Sequence, residues 1–222
     1  NIANENTTSA RQLIIHEIMG RNCGWLTAAT AQEYRNRLLK REFLPSILVD
    51  KDRWDIDAIY IPEIKIDIKA ESQRLKKRMD ENDSVNIFLS EGAGIESIVS
   101  ELEYQGEEVL RDAFGHVRLD EINPGQWFAK QFSKGIKSDK VLIQKSGYFA
   151  RSAKPNKKDL DLIFKSSDMA VSCALSEQSG VVGLDESQNN QLQCIEFERI
   201  KGGKPFNPHQ DWFQSMLVEI GQ

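Results

Sequence analysis

Short apolar runs that end in glycine turns and give way to helical patterns are the feature that most restricts how this chain can fold. The first run spans Leu13 to Ile18 and ends in Met19-Gly20-Arg21, and the apolar residues that follow recur every three or four positions. A second run, Val85 to Leu89, ends in Glu91-Gly92-Ala93-Gly94, with a helix predicted from Ile95. Strands that alternate with helices predict an α/β fold, with a mainly parallel sheet flanked by helices.

The other segments fit the same alternation. A strand over Ala58–Ile64 is closed by Pro62-Glu63, and a helical segment over 70–82 carries Lys76-Lys77-Arg78 on a face that the pattern predicts to be solvated. Residues 105–122 mix helical and loop signals and give no clear prediction. The further predicted elements are a helix from Pro124 to Gly135, a strand over Lys140–Gln144, a long helix led by Asn156 or Asp159 toward Glu177, and strands over Val181–Leu184 and Leu192–Phe197.

Composition argues against several classes of partner. The formal net charge of −5 gives no overall attraction to nucleic acid or to an anionic membrane. No apolar run reaches the roughly 18 residues of a membrane span, and the first residues do not have the form of a secretory signal. Cys23, Cys173 and Cys194 lie far apart, which favours reduced thiols in a cytoplasmic protein. The chain begins at Asn1 rather than at methionine, and we expect it to be part of a longer protein.

The ends of the predicted strands carry the candidate binding residues. In a parallel sheet, ligands bind outside the carboxyl ends of the strands. Gly20 would let the backbone approach a ligand, the amides at the start of the following helix would suit an anion, and Arg21 would add a planar cationic fork. The same residues also fit a tight strand-to-helix turn with a solvated arginine, so both interpretations stay open.

Two further strand ends extend this candidate site. Glu91 could accept hydrogen bonds from sugar hydroxyls, or it could equally cap a helix or form an ion pair. Tyr148 and Arg151 could bind one oxyanion together, with Lys145 as an additional cation, or they could lie in an exposed loop whose arginine pairs with a nearby aspartate. Taken together, the three strand ends predict a small ligand that is anionic and hydroxylated.

Other kinds of site find little support in the sequence. His16, His116 and His209 are scattered, which fits neither a metal cluster nor a serine triad. His16 lies inside the first strand and is predicted to be a packed or edge residue rather than a general base. The glycines after Glu91 do not have the spacing of a dinucleotide fingerprint, and no Walker-type loop is present. The sequence therefore predicts no metal ligands and no donor-binding loop in this chain.

Four segments together resemble the phosphofructokinase family. Glu17 to Leu26 resembles the family's Met-Gly-Arg segment, and Ile61-Pro62-Glu63 resembles its next strand end. Ser90-Glu91-Gly92 corresponds to its sugar-binding glutamate, and Tyr148-Phe149-Ala150-Arg151 corresponds to its late phosphate-binding element. The order and the intervals agree over about residues 11 to 200. The likeness is closest to the bacterial pyrophosphate-dependent members, which the runs from Arg21 to Ala31 and from Lys145 to Ser152 both resemble. The chain also lacks the Gln-Arg-Gly-Gly run that is usual in ATP-dependent bacterial members.

The resemblance implies that the chain forms the C-terminal portion of a Rossmann-like phosphofructokinase fold. Residues 1–200 would be the sugar-phosphate-binding α/β portion, and residues 201–222 would be a C-terminal turn and tail. It implies phosphoryl transfer from pyrophosphate to the 1-hydroxyl of fructose 6-phosphate, reversibly and in glycolysis, by a homo-oligomer that uses Mg²⁺. The residues carried over are Met19, Gly20 and Arg21 for the sugar phosphate, Glu91 for the sugar hydroxyls, and Tyr148 with Arg151 for the 6-phosphate.

Part of the reaction is expected outside this chain. The family's catalytic aspartate motif and donor-binding glycine loop would lie upstream of Asn1, in the N-terminal half of the same enzyme, so the catalytic base and the Mg²⁺ ligands are assigned to no residue. An ATP-dependent enzyme and a non-catalytic regulatory subunit of the same family are the alternatives. Arg11 lies eight residues before Met19, whereas family members often have an arginine seven residues before this methionine that reaches a neighbouring subunit's site.

Overall fold

The chain folds as the alternation of strands and helices that its apolar pattern predicts. The structure, a computed structural model, describes residues 10–47, 50–200 and 204–222. The strands are β1 (Gln12–Ile18), β2 (Ala58–Tyr60), β3 (Ser84–Ser90), β4 (Lys140–Lys145), β5 (Val181–Asp185) and β6 (Gln191–Ile195). The α-helices are α1 (Trp25–Leu38), α2 (Ile68–Asn82), α3 (Ile95–Tyr104), α4 (Leu119–Ile122), α5 (Pro124–Ile136), α6 (Gly147–Ser152), α7 (Lys157–Leu175), α8 (Phe197–Ile200) and α9 (Asp211–Ile220). In the described ranges no helix has both the length and the apolar character needed to cross a membrane.

The described residues fall into two compact units. The larger unit contains the described part of Asn1–Tyr148 together with Pro205–Gln222, and the smaller unit contains Phe149–Lys204. The domain limit expected at residue 200 does not coincide with these units, because α9 buries Phe213 and Ile220 in the larger one. The sugar-phosphate-binding role of residues 1–200 stays a prediction.

A four-stranded sheet organises the larger unit. Its strand order is β2-β3-β1-β4, and all neighbouring strands are parallel, which confirms the mainly parallel architecture. Every residue of β3 is buried, as expected for a strand with helices on both faces of its sheet. The register pairs Ile18 with Ser90, so β1 and β3 end side by side.

Two apolar layers hold this sheet between helices. On one face, Leu75 of α2 and Phe128 of α5 pack against β1 and β3. On the other face, Ala28 of α1 and Phe213 of α9 pack around Phe88 of β3. Each large apolar side chain buried in this way stabilises the fold by about 1.5–3 kcal/mol. The two layers therefore fix the position of the strand ends, where the candidate binding residues lie.

Two details of the larger unit differ from the sequence prediction. The strand β2 ends at Tyr60 rather than at Ile64, since Pro62 has no N–H to donate to a sheet. Arg78 does not belong to a solvated face, because its Nε donates to Asp57 Oδ1 at 2.9 Å and Asp57 is 1% exposed. A basic helical pattern cannot show that one of its cations has a buried partner.

The smaller unit contains the last residues of α6, the long helix α7, a hairpin and the short helix α8. The hairpin pairs β5 with β6 in antiparallel fashion and is separate from the parallel sheet. The helix α7 begins with a capping box, in which Asn156 and Asp159 bond to each other's backbone N–H. Cys173 and Cys194 are free thiols that lie together in this unit, and partial burial and the Cys173 thiol raise the pKa of Cys194. Sequence spacing gave no sign that these two thiols are neighbours.

Candidate functional site

The site begins where the chain leaves two adjacent strands in opposite directions. From β1 the chain passes to α1 on one face of the sheet, and from β3 it passes through α3 to α5 on the other face. Such a divergence opens a crevice at the carboxyl ends of the strands, where open α/β sheets bind their ligands. The turns after β1 and β3 are the ones that the sequence singled out.

The turn after β1 requires a glycine. Gly20 has φ +149°, which side-chain-bearing residues rarely adopt. A Cβ at this position would lie 2.5 Å from Cys23 O and 2.8 Å from Ser90 Oγ. Ser90 Oγ instead donates to Gly20 O at 2.6 Å, which joins the ends of the two strands. The glycine therefore serves the close packing of the two turns, whatever ligand the crevice binds.

Glu91 connects the same two strand ends. Its backbone N–H donates to Ile18 O at 2.9 Å, and its Oε1 accepts a hydrogen bond from Gly20 N–H at 3.2 Å. Gly92 completes the contact, because a Cβ there would lie 1.7 Å from Arg21 O. Glu91 thus holds the turn that carries Arg21. The contact of Glu91 with sugar hydroxyls stays a prediction, in which the second carboxylate oxygen would be the acceptor.

Arg21 is held by its own chain rather than being simply solvated. Its side chain is 40% exposed, and its Nη1 donates to Val117 O at 3.2 Å. The same Nη1 lies 3.9 Å from Asp112 Oδ2. The pKa of the Asp112 carboxyl is held below its usual value, first by the backbone N–H of His116 and then by that of Phe114. Arg21 therefore faces a carboxylate that stays ionised.

The helix start after this turn already has an anion from the chain itself. Gly24 N–H, at the N-terminus of α1, donates to Glu63 Oε1 at 2.9 Å and to Oε2 at 3.1 Å. Glu63 also accepts a hydrogen bond from Phe206 N–H at 2.8 Å. The expectation that these amides suit an anion is met by Glu63, whose role the sequence did not reveal. Its position just after a strand end, beside Pro62, was the available signal.

A cavity of about 630 Å³ opens at this edge of the sheet. This volume is within the range of small-molecule sites, roughly 300–1,000 Å³. Its cationic lining comes from Arg21 after β1, Lys65 after β2, and Arg111 in the segment before α4. The lining also contains Gly92, His116 and the carboxylates of Glu63 and Glu96. The cavity therefore offers cations from three parts of the chain to one ligand.

Two other cationic residues considered for this site, Lys145 and Arg11, form ion pairs with carboxylates of the chain itself. Lys145 Nζ lies 3.5 Å from Glu17 Oε1 and also donates to Asn123. Arg11 pairs with Asp80 at 2.7 Å and with Asp83 at 3.3 Å. Lys145 and Arg11 thus both hold the larger unit together.

The remaining predicted binding residues are placed as follows. Met19 is half-buried, and its Cγ lies 3.0 Å from where a Cβ of Gly147 would be. Tyr148 belongs to the short helix α6, and its side chain lies outside the described part of the structure. Arg151 is exposed, also on α6, and belongs to the smaller unit. The joint phosphate-binding role of Tyr148 and Arg151 stays a prediction, although their segment is a helix rather than a loop.

His16 matches its prediction as a packed strand residue. Its ring centroid lies 4.8 Å from that of Phe88, and burial lowers its pKa to about 4. It is therefore neutral at physiological pH and turned into the sheet's apolar layer. In the part of the chain that the structure describes, no group of three or more histidine, cysteine, aspartate or glutamate residues could hold a metal ion.

An open parallel sheet with a cavity at the divergence of two adjacent strands is the arrangement in which α/β proteins bind small ligands. The family model described as Phosphofructokinase matches residues 1–174. The chain therefore belongs to the phosphofructokinase family.

Curated relatives resemble the chain over its whole length. A pyrophosphate–fructose 6-phosphate 1-phosphotransferase of Methylomonas methanica is 55% identical over 222 residues, which is 100% of this chain and 54% of the relative. Proteins of the same name from Mastigamoeba balamuthi and Propionibacterium freudenreichii subsp. shermanii are 53% and 52% identical over 222 residues, covering 54% and 55% of their lengths. The chain thus spans about half the length of the curated relatives it matches.

Solved structures support the fold. A pyrophosphate-dependent phosphofructokinase from Nitrosospira multiformis superimposes with a TM-score of 0.57 at 16% identity, over 99% of this chain and 50% of that one. The corresponding protein from Marinobacter aquaeolei gives a TM-score of 0.56, also at 16% identity, with 99% and 50% covered. At this level of identity the likeness concerns the fold alone.

Proposed function

We propose that this chain forms the sugar-phosphate-binding part of an enzyme that transfers a phosphoryl group from pyrophosphate to the 1-hydroxyl of fructose 6-phosphate. The product is fructose 1,6-bisphosphate, and the reaction is a reversible step of glycolysis. The observation that carries the proposal is the identity of 52–55% over all 222 residues with relatives whose names state these two substrates. Because the chain spans about half of those relatives, the activity is proposed for the complete protein.

The cavity beside the β1 and β3 turns supports the acceptor half of this proposal. In it, Arg21 would donate charge-assisted hydrogen bonds to phosphate oxygens, which are stronger than those between neutral groups. Gly20 and Glu91 would hold the backbone that carries Arg21, and Glu91 would accept from a sugar hydroxyl with the oxygen that Gly20 does not occupy. Met19 would contact the sugar phosphate, and Tyr148 with Arg151 would bind the 6-phosphate.

The remaining features of the proposal concern the complete protein. Mg²⁺ is proposed to accompany pyrophosphate, whose charge it would neutralise. No residue in the described ranges is proposed as its ligand, since they contain no group of three or more suitable side chains. A homo-oligomer in the cytoplasm is part of the same proposal.

The test is an assay of the complete protein with fructose 6-phosphate and each donor separately. We expect turnover with pyrophosphate and measurable formation of pyrophosphate from fructose 1,6-bisphosphate and phosphate in the reverse direction. Turnover with ATP alone would replace the proposal with the ATP-dependent alternative. Binding of fructose 6-phosphate without turnover on either donor would replace it with the regulatory-subunit alternative.

A further inference from the structure

A hairpin formed by residues 110–118 contributes one wall of the cavity. Arg111 and Val117 form its antiparallel bridge, and Arg118 N–H donates to Leu110 O at 2.9 Å. Asp112 N–H donates to His116 O at 2.8 Å and closes the turn. The mixed helical and loop signals of residues 105–122 did not predict this hairpin.

Asp112 organises the turn of the 110–118 hairpin. Its Oδ1 accepts hydrogen bonds from Phe114 N–H and His116 N–H, both at 2.9 Å. Its Oδ2 lies 3.3 Å from His116 Nδ1 and 3.9 Å from Arg21 Nη1. The hairpin therefore presents one carboxylate oxygen toward the arginine that is proposed to bind phosphate.

Arg21 reaches the hairpin strand beside Arg111. Its Nη1 donates to Val117 O at 3.2 Å, and Val117 is the bridge partner of Arg111. Both arginines also line the same cavity. Two cations that share a cavity repel each other, and an anion bound near both relieves this repulsion.

Arg111 differs from Arg21 in its electrostatic partners. Its Nη1 donates to the neutral Gly115 O at 3.1 Å, and among the described residues no carboxylate forms an ion pair with it. Two carboxylates share this lining. Glu63 accepts hydrogen bonds from the backbone N–H groups of Gly24 and Phe206, and Glu96 lies in the first turn of α3. Within the described residues, no direct ion pair therefore neutralises Arg111, and its guanidinium group keeps N–H donors for a ligand.

We propose that Arg111 is a second phosphate-binding residue of this cavity, which binds the same phosphate-bearing ligand as Arg21. The proposal rests on the sugar-phosphate site proposed above and extends it to the 110–118 hairpin. In the free protein, Asp112 supplies the anion nearest to Arg21. A bound phosphate replaces this 3.9 Å contact with direct hydrogen bonds to both guanidinium groups.

The test compares two glutamine variants of the complete protein. Arg111→Gln removes the charge and keeps a polar N–H group at the end of a shorter side chain. Arg118→Gln is the matched control, because Arg118 lies in the same hairpin, pairs with Glu121 at 3.4 Å and does not line the cavity. Binding of inorganic phosphate and of fructose 6-phosphate is measured by calorimetry at fixed ionic strength, together with KM and kcat.

We expect Arg111→Gln to raise the Kd for both ligands by about 10- to 100-fold, and to raise KM rather than lower kcat. Arg111→Lys should recover only part of the loss, since a point charge does not reproduce the planar fork. Equal phosphate binding by the Arg111→Gln and Arg118→Gln variants would overturn the role of Arg111, even if the enzyme uses pyrophosphate as proposed. Weaker phosphate binding by Arg111→Gln in a protein without transferase activity would support Arg111 and overturn the proposed reaction instead.

Discussion

The larger and the smaller unit of this chain bury their apolar side chains to very different degrees. In the larger unit, Phe128, Phe132 and Phe213 are all 0% exposed. Among the described residues of the smaller unit, Cys173 and Asp185 alone are buried. The large apolar side chains exposed on the smaller unit are Phe149, Leu160, Leu162, Ile163, Phe164, Val171, Leu175, Val181, Leu184, Phe197 and Ile200.

Polar contacts take a larger part in holding the smaller unit together. Asp185 accepts hydrogen bonds from both terminal nitrogens of Arg199 at 2.7 Å and from Ser187 Oγ at 2.8 Å. Gln193 donates to the same carboxylate. These bonds connect the end of β5 to β6 and α8. A regular pattern of helices and strands therefore forms in both units, while among the described residues the extensive apolar core belongs to the larger unit.

The largest expected effect tests this difference with one substitution in each unit. Phe128→Ala should destabilise the larger unit by about 3–5 kcal/mol, because it removes a fully buried ring and leaves a cavity. Phe164→Ala, at a position 66% exposed on α7, should change stability by no more than about 0.5 kcal/mol. Urea unfolding followed by tryptophan fluorescence measures the first variant, since all four tryptophans belong to the larger unit. Hydrogen exchange of the α7 amides measures the second. Comparable losses in the two variants would contradict the contrast.

A smaller expected effect is the pH dependence of stability, which should differ between the two units. The pKa values of their buried carboxylates are shifted in opposite directions. Burial raises the pKa of Asp57 in the larger unit from 3.8 to about 6. Its stabilising contribution is therefore complete below pH 3.8 and is lost as the pH rises through 6, a change on the order of 3 kcal/mol. In the smaller unit, Arg199 above all lowers the pKa of Asp185, so its contribution is present above pH 3.8 and is lost as the pH falls below that value.

The measurement follows unfolding of the larger unit and hydrogen exchange of the smaller one between pH 3 and pH 7. Asp57→Asn should flatten the pH dependence of the first signal alone, and Asp185→Asn that of the second alone. Each asparagine keeps an oxygen that can accept the existing backbone hydrogen bond. An unchanged pH profile in the Asp57→Asn variant would mean that Arg78 offsets the burial of Asp57 completely.

The sequence predicted the strands and turns that surround the site better than the hydrogen bonds within it. The strands β1 and β3 and the turns after them follow from apolar runs that end in glycine, since this pattern depends on neighbouring residues. The hydrogen bond from Gly20 to Glu91 joins residues 71 positions apart, and that from Arg21 to Val117 joins residues 96 positions apart. Such pairs depend on strand order and register, which the spacing of one run does not specify.

Local sequence patterns did not predict which side chains are buried either. The helix α7 was predicted from its periodicity, but the pattern did not show that Phe164 is 66% exposed. Likewise, Lys76-Lys77-Arg78 has the form of a solvated cluster, although Arg78 pairs with the buried Asp57. Periodicity identifies which residues share a face of a helix and leaves open what that face contacts.

The next prediction compares Arg21 of the larger unit with Arg151 of the smaller unit, both of which are predicted to bind phosphate. Arg21→Ala should raise the Kd for fructose 6-phosphate by about 10- to 150-fold, because charge-assisted hydrogen bonds contribute roughly 1.5–3 kcal/mol each. Arg37→Ala is the control, since Arg37 lies on α1, is 78% exposed and pairs with Glu33. A similar loss for Arg151→Ala would support the proposed phosphate-binding role of Arg151, whereas a loss for Arg21→Ala alone would contradict it.

The smallest expected effect concerns Glu91, for which the structure supports a role in the turn and the family resemblance implies a role in sugar binding. Glu91→Gln keeps the Oε1 acceptor for Gly20 N–H and removes the charge that strengthens a contact with a hydroxyl. If the carboxylate binds a sugar hydroxyl, the variant should bind fructose 6-phosphate more weakly by about 1 kcal/mol, a factor of roughly 5. Inorganic phosphate, which has no sugar hydroxyl, should bind as before. Both ligands are titrated calorimetrically at fixed ionic strength, since exposed charge contacts are screened by salt.

Glu91→Ala then separates the two roles, because it removes the acceptor as well as the charge. Without that acceptor, Gly20 N–H loses its 3.2 Å partner and the turn that positions Arg21 is loosened, so inorganic phosphate should also bind more weakly. Equal binding of inorganic phosphate by the glutamine and alanine variants would show that Ser90 and the packing of Gly92 hold the turn without Glu91. Equal weakening of both ligands by glutamine would instead mean that the negative charge of Glu91 organises the phosphate-binding cavity and that no sugar hydroxyl depends on it.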